Sequence, residues 1–519
     1  MDRAVALYAE AQTLFRAGEA ARAADRLDQA LRLRPNFAEA LAFGGYLIER
    51  SGKLETAARF YGRALELKAD MPIVWANYGK ALFRLRQFAG ALAAFDAGLE
   101  TSGADADLWN GRAAALRELG RLEESVAAAT QALRHDSASA EAAVNLGNAL
   151  HKLARPDEAL AAYTKACELR ADYGDAICGA ALALRALGRL DEARAAFARA
   201  ETLGCREAIS GRGCLDLMLG DFANGWEGYE ARWIAGRSLA EALGVRFPWW
   251  RGPGRAGERV LVLNDHGLGD TIQFARYLPR MREHGVEATF VVPRRLHRLL
   301  APATRARLVD RVPEGESFDA QIALSSLPRA FATRLETVPA QVPYLVADPS
   351  LTSRWRERIG MEGFRIGVVW QGNPDPAADR ARSFPLAAFA PLAALPGVRL
   401  ISLQKPDATL AVEAPFALET LGPNFDAGED AFADAAAAMM SLDLIVSADT
   451  SVAHLAGALA RPVWLALKFD AEWRWLRGRD DSPWYPTARL FRQSEAGDWA
   501  GVFSRMAAAL RGQGQSRTP

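Results

Sequence analysis

Two short stretches in the second half of the chain have the residue types needed to move a group off a phosphate leaving group. The first is H-G-L-G-D, with His266, Gly267, Gly269 and Asp270. Its glycines permit a tight turn and a close backbone approach to a ligand, and Asp270 supplies a carboxylate. The second is A-D-T-S-V-A-H, with Asp449, Thr450, Ser451 and His454. Asp449 and Thr450 stand where an apolar strand pattern gives way to a helical one, so either can cap the helix. The open N–H groups and positive dipole end there attract an anion. His454 follows Thr450 by four residues and so faces the same side of the first helical turn. W-Q-G-N (Trp370, Gln371, Gly372, Asn373), the loop cations Arg380 and Arg382 beside Ser383, and Gln404-Lys405 are further candidates. A carboxylate on one side can take the proton of an acceptor hydroxyl, while cations and a helix N-terminus on the other stabilise a departing diphosphate. Plainer roles stand beside these: Asp270 as a helix cap, His266 as a cleft wall, Trp370 as core and Lys405 as a solvated strand end. Trp473, Trp475 and Trp484 can pack a crossing segment as readily as stack on a sugar.

The elements that must position these groups are short buried strands alternating with helices. Leu444-Ile445-Val446, an Ala-rich helix and Val463-Trp464-Leu465-Ala466 form a β-α-β pattern. Upstream, Val260 to Leu263, A-T-F-V-V-P, R-A-R-L-V-D-R-V and F-D-A-Q-I-A-L read as four strands. The expectation is two doubly wound, Rossmann-like lobes, residues 259–346 and 347–511, the second ending in a closing helix. The loops above would then meet at the carboxyl ends of the strands, where open α/β sheets bind ligands. G-x-G alone is a weak signal, and without the full G-x-G-x-x-G pattern a nicotinamide site is disfavoured. Residues 512–519 read as a disordered tail.

Residues 1–235 carry a different order, a repeat with a step of 34 residues. Small residues recur at Ala23, Ala57, Ala91, Ser125, Ala159 and Ala193. Four positions later the residue is mostly large (Leu27, Tyr61, Phe95, Tyr163, Phe197), and three beyond that it is small again. Gly45, Gly79 and Gly147 mark a second small position earlier in the unit. Small residues let two helices approach, and the aromatic fills the hole in its neighbour. The pattern resembles the tetratricopeptide repeat, with six units and a degenerate seventh over residues 208–235. Such repeats stack into an all-α superhelix that binds peptides or partner proteins on its concave face, for which Asn77, Lys80, Asn110, Asn145, Asn148 and Lys152 are candidates. Periodicity stops over residues 236–258, where F-P-W-W-R-G-P-G marks a linker.

Composition narrows the function further. Lysine plus arginine and aspartate plus glutamate stand at 63 each, so no overall basic field argues for nucleic acid or an anionic membrane surface. No apolar run reaches the ~20 residues that span a bilayer, and the first residues read as an amphipathic helix rather than a signal peptide. Four cysteines (Cys167, Cys178, Cys205, Cys214) lack metal-ligand spacing and read as reduced packing residues, consistent with a cytoplasmic protein.

G-L-G-D at 267–270, D-T-S-V-A-H-L-A-G-A-L at 449–459 and G-V-V-W-Q-G-N at 367–373 are similar to the GT-B glycosyltransferases related to the ADP-heptose:lipopolysaccharide heptosyltransferases, glycosyltransferase family 9. The whole arrangement, including R-S-F-P-L and D-W-A-G-V-F-S-R-M, resembles bacterial tetratricopeptide-repeat glycosyltransferases, some of which modify proteins such as flagellin. The resemblance implies a GT-B fold and direct inverting transfer from a nucleotide-sugar without a metal or other cofactor. Asp270 then matches the general base, and Asp449, Thr450, Ser451 and His454 match the donor-binding segment. The family's phosphate lysine is absent, so the resemblance hands its role to Arg382 or Arg380. Gly372, Asn373, Gln404 and Lys405 complete the expected donor side. Two other readings remain at this level: a non-catalytic binding scaffold, or a transferase acting on lipopolysaccharide or polysaccharide acceptors.

Overall fold

The computed structural model describes residues 2–233, 244–372, 379, 382–405 and 414–515. It divides into two compact units, Met1–Leu187 and Gly188–Pro519. Among the described residues, no helix is long and apolar enough to cross a membrane.

The first unit is helical throughout, from Arg3–Arg16 to Gly174–Ala186, in antiparallel pairs of 13- and 14-residue helices. Close approach at the repeated small positions explains the pairing. Ala23, Ala57, Ala91, Ser125 and Ala159 are fully buried. A Cβ added at Gly79 would stand 2.5 Å from the Phe95 ring, and one at Gly111 would stand 2.3 Å from it. Tyr163 sits in the same way between Gly147 and Gly179 (2.7 and 2.3 Å). Each ring is thus clamped between a glycine of its own repeat and one of the next, and this fixes the phase of the array. Several proposed concave-face residues bond to one another across repeats. Asn145 donates to Asn110 (2.7 Å) and accepts from Arg117 (2.9 Å), while Lys80 pairs with Asp107 (2.8 Å). Asn148 accepts from the Tyr163 hydroxyl at 2.7 Å.

The second unit begins with three more helices, Leu190–Thr202, Arg206–Met218 and Phe222–Tyr229, followed by two parallel sheets. The first sheet contains β1 (Arg259–Leu263), β2 (Glu287–Val291), β3 (Arg307–Val309) and β4 (Ala320–Ala323), in the order β3-β2-β1-β4. The second contains β5 (Phe364–Val369), β6 (Val398–Ser402), β7 (Glu419–Thr420), β8 (Leu444–Ser447), β9 (Val463–Leu467) and β10 (Ala488–Arg492), in the order β10-β9-β8-β5-β6-β7. All named strand pairs are parallel, and strands buried on both faces explain the continuous apolar runs V-L-V-L and V-W-L-A-L. Each sheet is wound first to one side and then to the other. The reversal falls between β1 and β4 in one and between β5 and β8 in the other, where open α/β sheets leave a crevice.

Three expectations change. Change in periodicity near residue 235 is not where the compact units divide, because the helices after Gly188 pack on the sheets. Trp226 Nε1 donates to the Thr333 carbonyl (2.9 Å), and Phe222 stacks on Trp484 with ring centres 6.2 Å apart. The described part of the linker is also built in: Trp249 bridges Gln321 beside β4, and Val245 joins the core around Leu261 and Phe318. Lastly, the closing helix runs Trp499–Gln515, so residues 512–515 are helical rather than part of a disordered tail.

Candidate functional site

β1 delivers the chain to Asn264, and the turn through His266 and Gly267 leads into the helix Leu268–Phe274. Gly267 occupies the N-cap position, so Asp270 is not the cap but lies in the first turn. Thr271 locks the turn by donating to Asn264 Oδ1 at 2.7 Å. From the second sheet, β8 ends at Ser447 and the helix Ser451–Ala458 follows, with Thr450 as its N-cap. The Thr450 side chain makes no bond to that helix's N–H groups; its hydroxyl lies 3.2 Å from Ser447 Oγ. Backbone donors at this N-terminus are therefore not consumed by a side-chain cap.

The two helices meet end to end through Gly269. A Cβ there would fall 2.9 Å from His454 Cδ2 and 3.4 Å from Ser451 Cα. Only a residue without a side chain lets the first turns of the two helices come this close. Asp270, Gly267, Gly269, Ser451, His454 and Asp449 are thus brought to one place.

Electrostatics distinguish the groups. His454 is buried, stacked on Trp475 (5.3 Å between centroids), with Nδ1 2.9 Å from the Tyr485 hydroxyl. Burial, reinforced by Arg474, pushes it down to about 3, so it is a neutral imidazole at ordinary pH. Burial also lifts the Asp449 carboxyl above its usual range, against the pull of Arg474 and Arg382. For Asp270, burial acts upward, but the Arg474 guanidinium outweighs it and holds the carboxyl below the usual range. The same cation, Arg474, acts on both carboxyls, but burial prevails at Asp449 and the ion pair at Asp270.

Arg474, in the turn Trp473–Trp475 after β9, pairs with Asp270 Oδ1 at 2.8 Å and donates to Gln273 Oε1 at 2.6 Å. Arg276 is a second buried cation. It donates to the carbonyls of Pro339 (3.0 Å) and Trp484 (2.7 Å) and to the Tyr344 hydroxyl (3.0 Å). Tyr229, from the helix Phe222–Tyr229, brings its hydroxyl to 3.1 Å from His266 Nε2. Behind His266 the buried Asp265 carboxylate accepts from the Ser325 backbone (3.1 Å) and lies 3.7 Å from Arg232. Residue types alone did not single out Arg474, Arg276 or Tyr229. The only local hint was a cation set between aromatics in W-R-W.

Other expected donor residues occupy the β5 and β6 loops. Gly372 donates its N–H to Ser383 Oγ (3.2 Å), and a Cβ on it would come 3.1 Å from the Arg382 guanidinium. Arg382 influences both Asp449 and His454, and its buried Nε has no hydrogen-bond partner among the described residues. Gln404 accepts from the Gln371 N–H (3.3 Å), which ties the β5 and β6 loops together. Lys405 is exposed and acts on Asp426 rather than on the Asp270 cluster. Asn373 and Arg380 lie outside the described residues. Trp370 is core, packed with Ile366, Val368 and Val446. Trp473, Trp475 and Trp484 are buried packing residues. Among the described residues, no group of three or more His, Cys, Asp or Glu could hold a metal ion.

Comparison with known proteins identifies the helical part. The tetratricopeptide repeat family model matches residues 8–72, 78–134, 115–176 and 144–208. Protein FlbA of Caulobacter vibrioides is 30% identical over 328 residues, a match covering 58% of this chain and 54% of that protein. The chain thus spans about half the length of that curated relative. Among solved structures, MamA from Desulfovibrio magneticus RS-1 is 22% identical, covering 33% of this chain and 98% of its own, with a TM-score of 0.31. A tetratricopeptide repeat protein from Parabacteroides merdae is 16% identical, covering 46% and 95%, with a TM-score of 0.40. YrrB, a TPR protein with an unusual peptide-binding site, is 20% identical, covering 35% and 93%, with a TM-score of 0.30. The amino-terminal helical region is an array of tetratricopeptide repeats.

Proposed function

We propose that the two-sheet part is a GT-B-type glycosyltransferase that moves a sugar, with inversion and without a metal, from a nucleotide-sugar to a hydroxyl. The observation that carries this reading is the contact of two loop-helix junctions, one from each sheet, through Gly269 and His454. One junction offers a carboxylate held ionised, the other a helix N-terminus with uncapped N–H groups beside Arg382. In the reaction, Asp270 accepts the proton of the acceptor hydroxyl. That oxygen then attacks the anomeric carbon as the bond to the phosphate oxygen breaks. The electron pair leaves with the nucleoside diphosphate, whose charge is met by the helix N-terminus at Thr450 and Ser451 and by Arg382. Neutral His454, whose Nδ1 is engaged by Tyr485, has Nε2 on the side of Gly269 and serves as a hydrogen-bonding group rather than as a cation.

Tetratricopeptide repeats suggest protein–protein interaction, and in this reading the array recruits a protein acceptor, a flagellin-like one being the kind the sequence resemblance implies. The reaction belongs in the cytoplasm, where nucleotide-sugars are at hand.

Calorimetric titration with ADP-, UDP-, GDP- and CMP-linked sugars tests the assignment on the full chain and on His454→Ala. Saturable binding of one donor, weakened by the substitution, is expected. Asp270→Asn should keep that binding and lose transfer. Absence of binding to the whole panel would sink the proposal.

A further inference from the structure

Resting on the glycosyltransferase reading, we propose that Arg474 is the positioning residue for Asp270: it reaches across from the second sheet, fixes Oδ1 of the carboxylate and leaves Oδ2 to take the acceptor proton. The geometry is specific. Arg474 Nη2 lies 2.8 Å from Asp270 Oδ1, and Nη1 donates to Gln273 Oε1 at 2.6 Å. Asp270 and Gln273 are three residues apart on the helix Leu268–Phe274, so one guanidinium grips successive positions of a single helical face. The grip is itself rigid, since Arg474 is only 8% exposed and its guanidinium carbon lies 5.2 Å from the centre of the Trp473 ring. The other carboxylate oxygen, Oδ2, faces the turn, where a Cβ on Gly267 would lie 3.7 Å from it. Gly267 is exposed, so an acceptor hydroxyl can approach from that side.

This contact joins elements of both sheets. Asp270 follows β1, and Arg474 follows β9. The charge state and aim of the base thus depend on the two lobes being together, and a separation that breaks the pair would release the carboxylate from the one cation of fixed charge within hydrogen-bond reach among the described residues.

Other groups facing Asp270 are His266, His454 and the Tyr229 hydroxyl. Neither histidine can replace Arg474, because His454 is neutral and His266 is engaged by Asp265 (3.4 Å) and Tyr229 (3.1 Å). In the transfer step the proton passes from the acceptor oxygen to Oδ2, the new bond forms at the anomeric carbon, and the electron pair of the broken bond departs with the diphosphate. Arg474 takes no part in bond making.

The test is a carboxyl titration of Asp270 by NMR in full-length protein labelled with 13C-carboxyl aspartate, assigned by difference with D270N. It is run on wild type, R474Q and R474K beside the pH profile of kcat/KM. In R474Q the Asp270 midpoint is expected to rise by about 1–3 pH units, the span an adjacent opposite charge commands. The acid limb of kcat/KM should move with it, and R474K should restore most of both. An Asp270 midpoint unmoved in folded R474Q overturns the proposal. If R474Q does not fold, R474M carries the same test: a rise of the same size supports the role, and none overturns it. A midpoint that rises while wild type transfers sugar from no donor refutes the glycosyltransferase reading and leaves the control of Asp270 by Arg474 supported.

Discussion

Substitution of Gly269 by alanine should damage activity far more than stability. The added Cβ would stand 2.9 Å from His454 Cδ2 and 3.4 Å from Ser451 Cα. Carbon atoms rest at about 3.5–4.0 Å, so the junction must open by roughly 0.6–1.1 Å at the histidine. His454 cannot simply turn aside, because it is stacked on Trp475 and held at Nδ1 by Tyr485. Overpacking of this kind costs about 1–3 kcal/mol. Alanine recovers up to about 1 kcal/mol through its better helix propensity. The net loss is then roughly 0–3 kcal/mol, a modest fall in the thermal midpoint. Asp270, the proposed base, is the next residue, however, and a displacement near 1 Å at a reacting group can cost about 100-fold in rate. The assay is kcat/KM for sugar transfer beside thermal unfolding, with Gly254→Ala as control. That position is exposed, and its Cβ would meet nothing within 4 Å. Equal kcat/KM for Gly269→Ala and wild type, or equal losses in both variants, would refute the argument from close approach.

Further outcomes follow from other contacts. Phe95→Ala empties the notch between Gly79 and Gly111 and should destabilise the first unit by about 3–5 kcal/mol, read as an earlier denaturant transition of the helical signal. His454 is depressed to about 3 when folded and binds its proton near its ordinary 6.5 when unfolded. Its contribution to stability is therefore full above that ordinary value and is lost as the pH falls toward 3. His454→Gln should flatten the decline of unfolding free energy between about pH 6.5 and 4.5, by at most ~1.4 kcal/mol per pH unit. Unfolding curves measured at several pH values decide this, and an unchanged slope would contradict a buried neutral imidazole.

The sequence carried the periodic and the contiguous parts of this architecture. Small-large-small spacing around Ala91, Phe95 and Gly98 marks helix contacts within and between neighbouring repeats, so it is legible without a structure. V-L-V-L and L-I-V-S are buried on both faces, and their apolar runs announced β1 and β8. By contrast β10, A-R-L-F-R, has its apolar residues broken by two arginines and lies inside a tryptophan-rich block, while β7 spans only two residues. Of the candidate site, the two loop motifs were visible because each is a local junction of strand and helix. Arg474, Arg276 and Tyr229 were not. The importance of the two arginines arises from pairings over 200 residues, as with Arg474 and Gln273, which are 201 apart, and that of Tyr229 from a contact with His266, 37 residues on. Arg474 stands among several other arginines in its block, and only the fold says which is buried beside a carboxylate.

The division of the molecule at Gly188 bears on how such an arm can be exchanged. Tyr229, Arg232 and Trp226 belong to the helices that continue the repeat pattern, yet they bond to His266, Ser325 and Thr333 in the sheet-bearing part. A graft cut in the Pro/Gly/Trp stretch near residue 236, where the sequence looks most separable, would carry these residues away with the donor arm and leave a site missing one wall. A graft joined near Leu187 keeps them. On the proposed function, recombination that swaps the repeat arm is therefore tolerated only when the last helices stay with the sheet-bearing part, and hybrids made on either side of that seam should differ in transfer activity even when both fold.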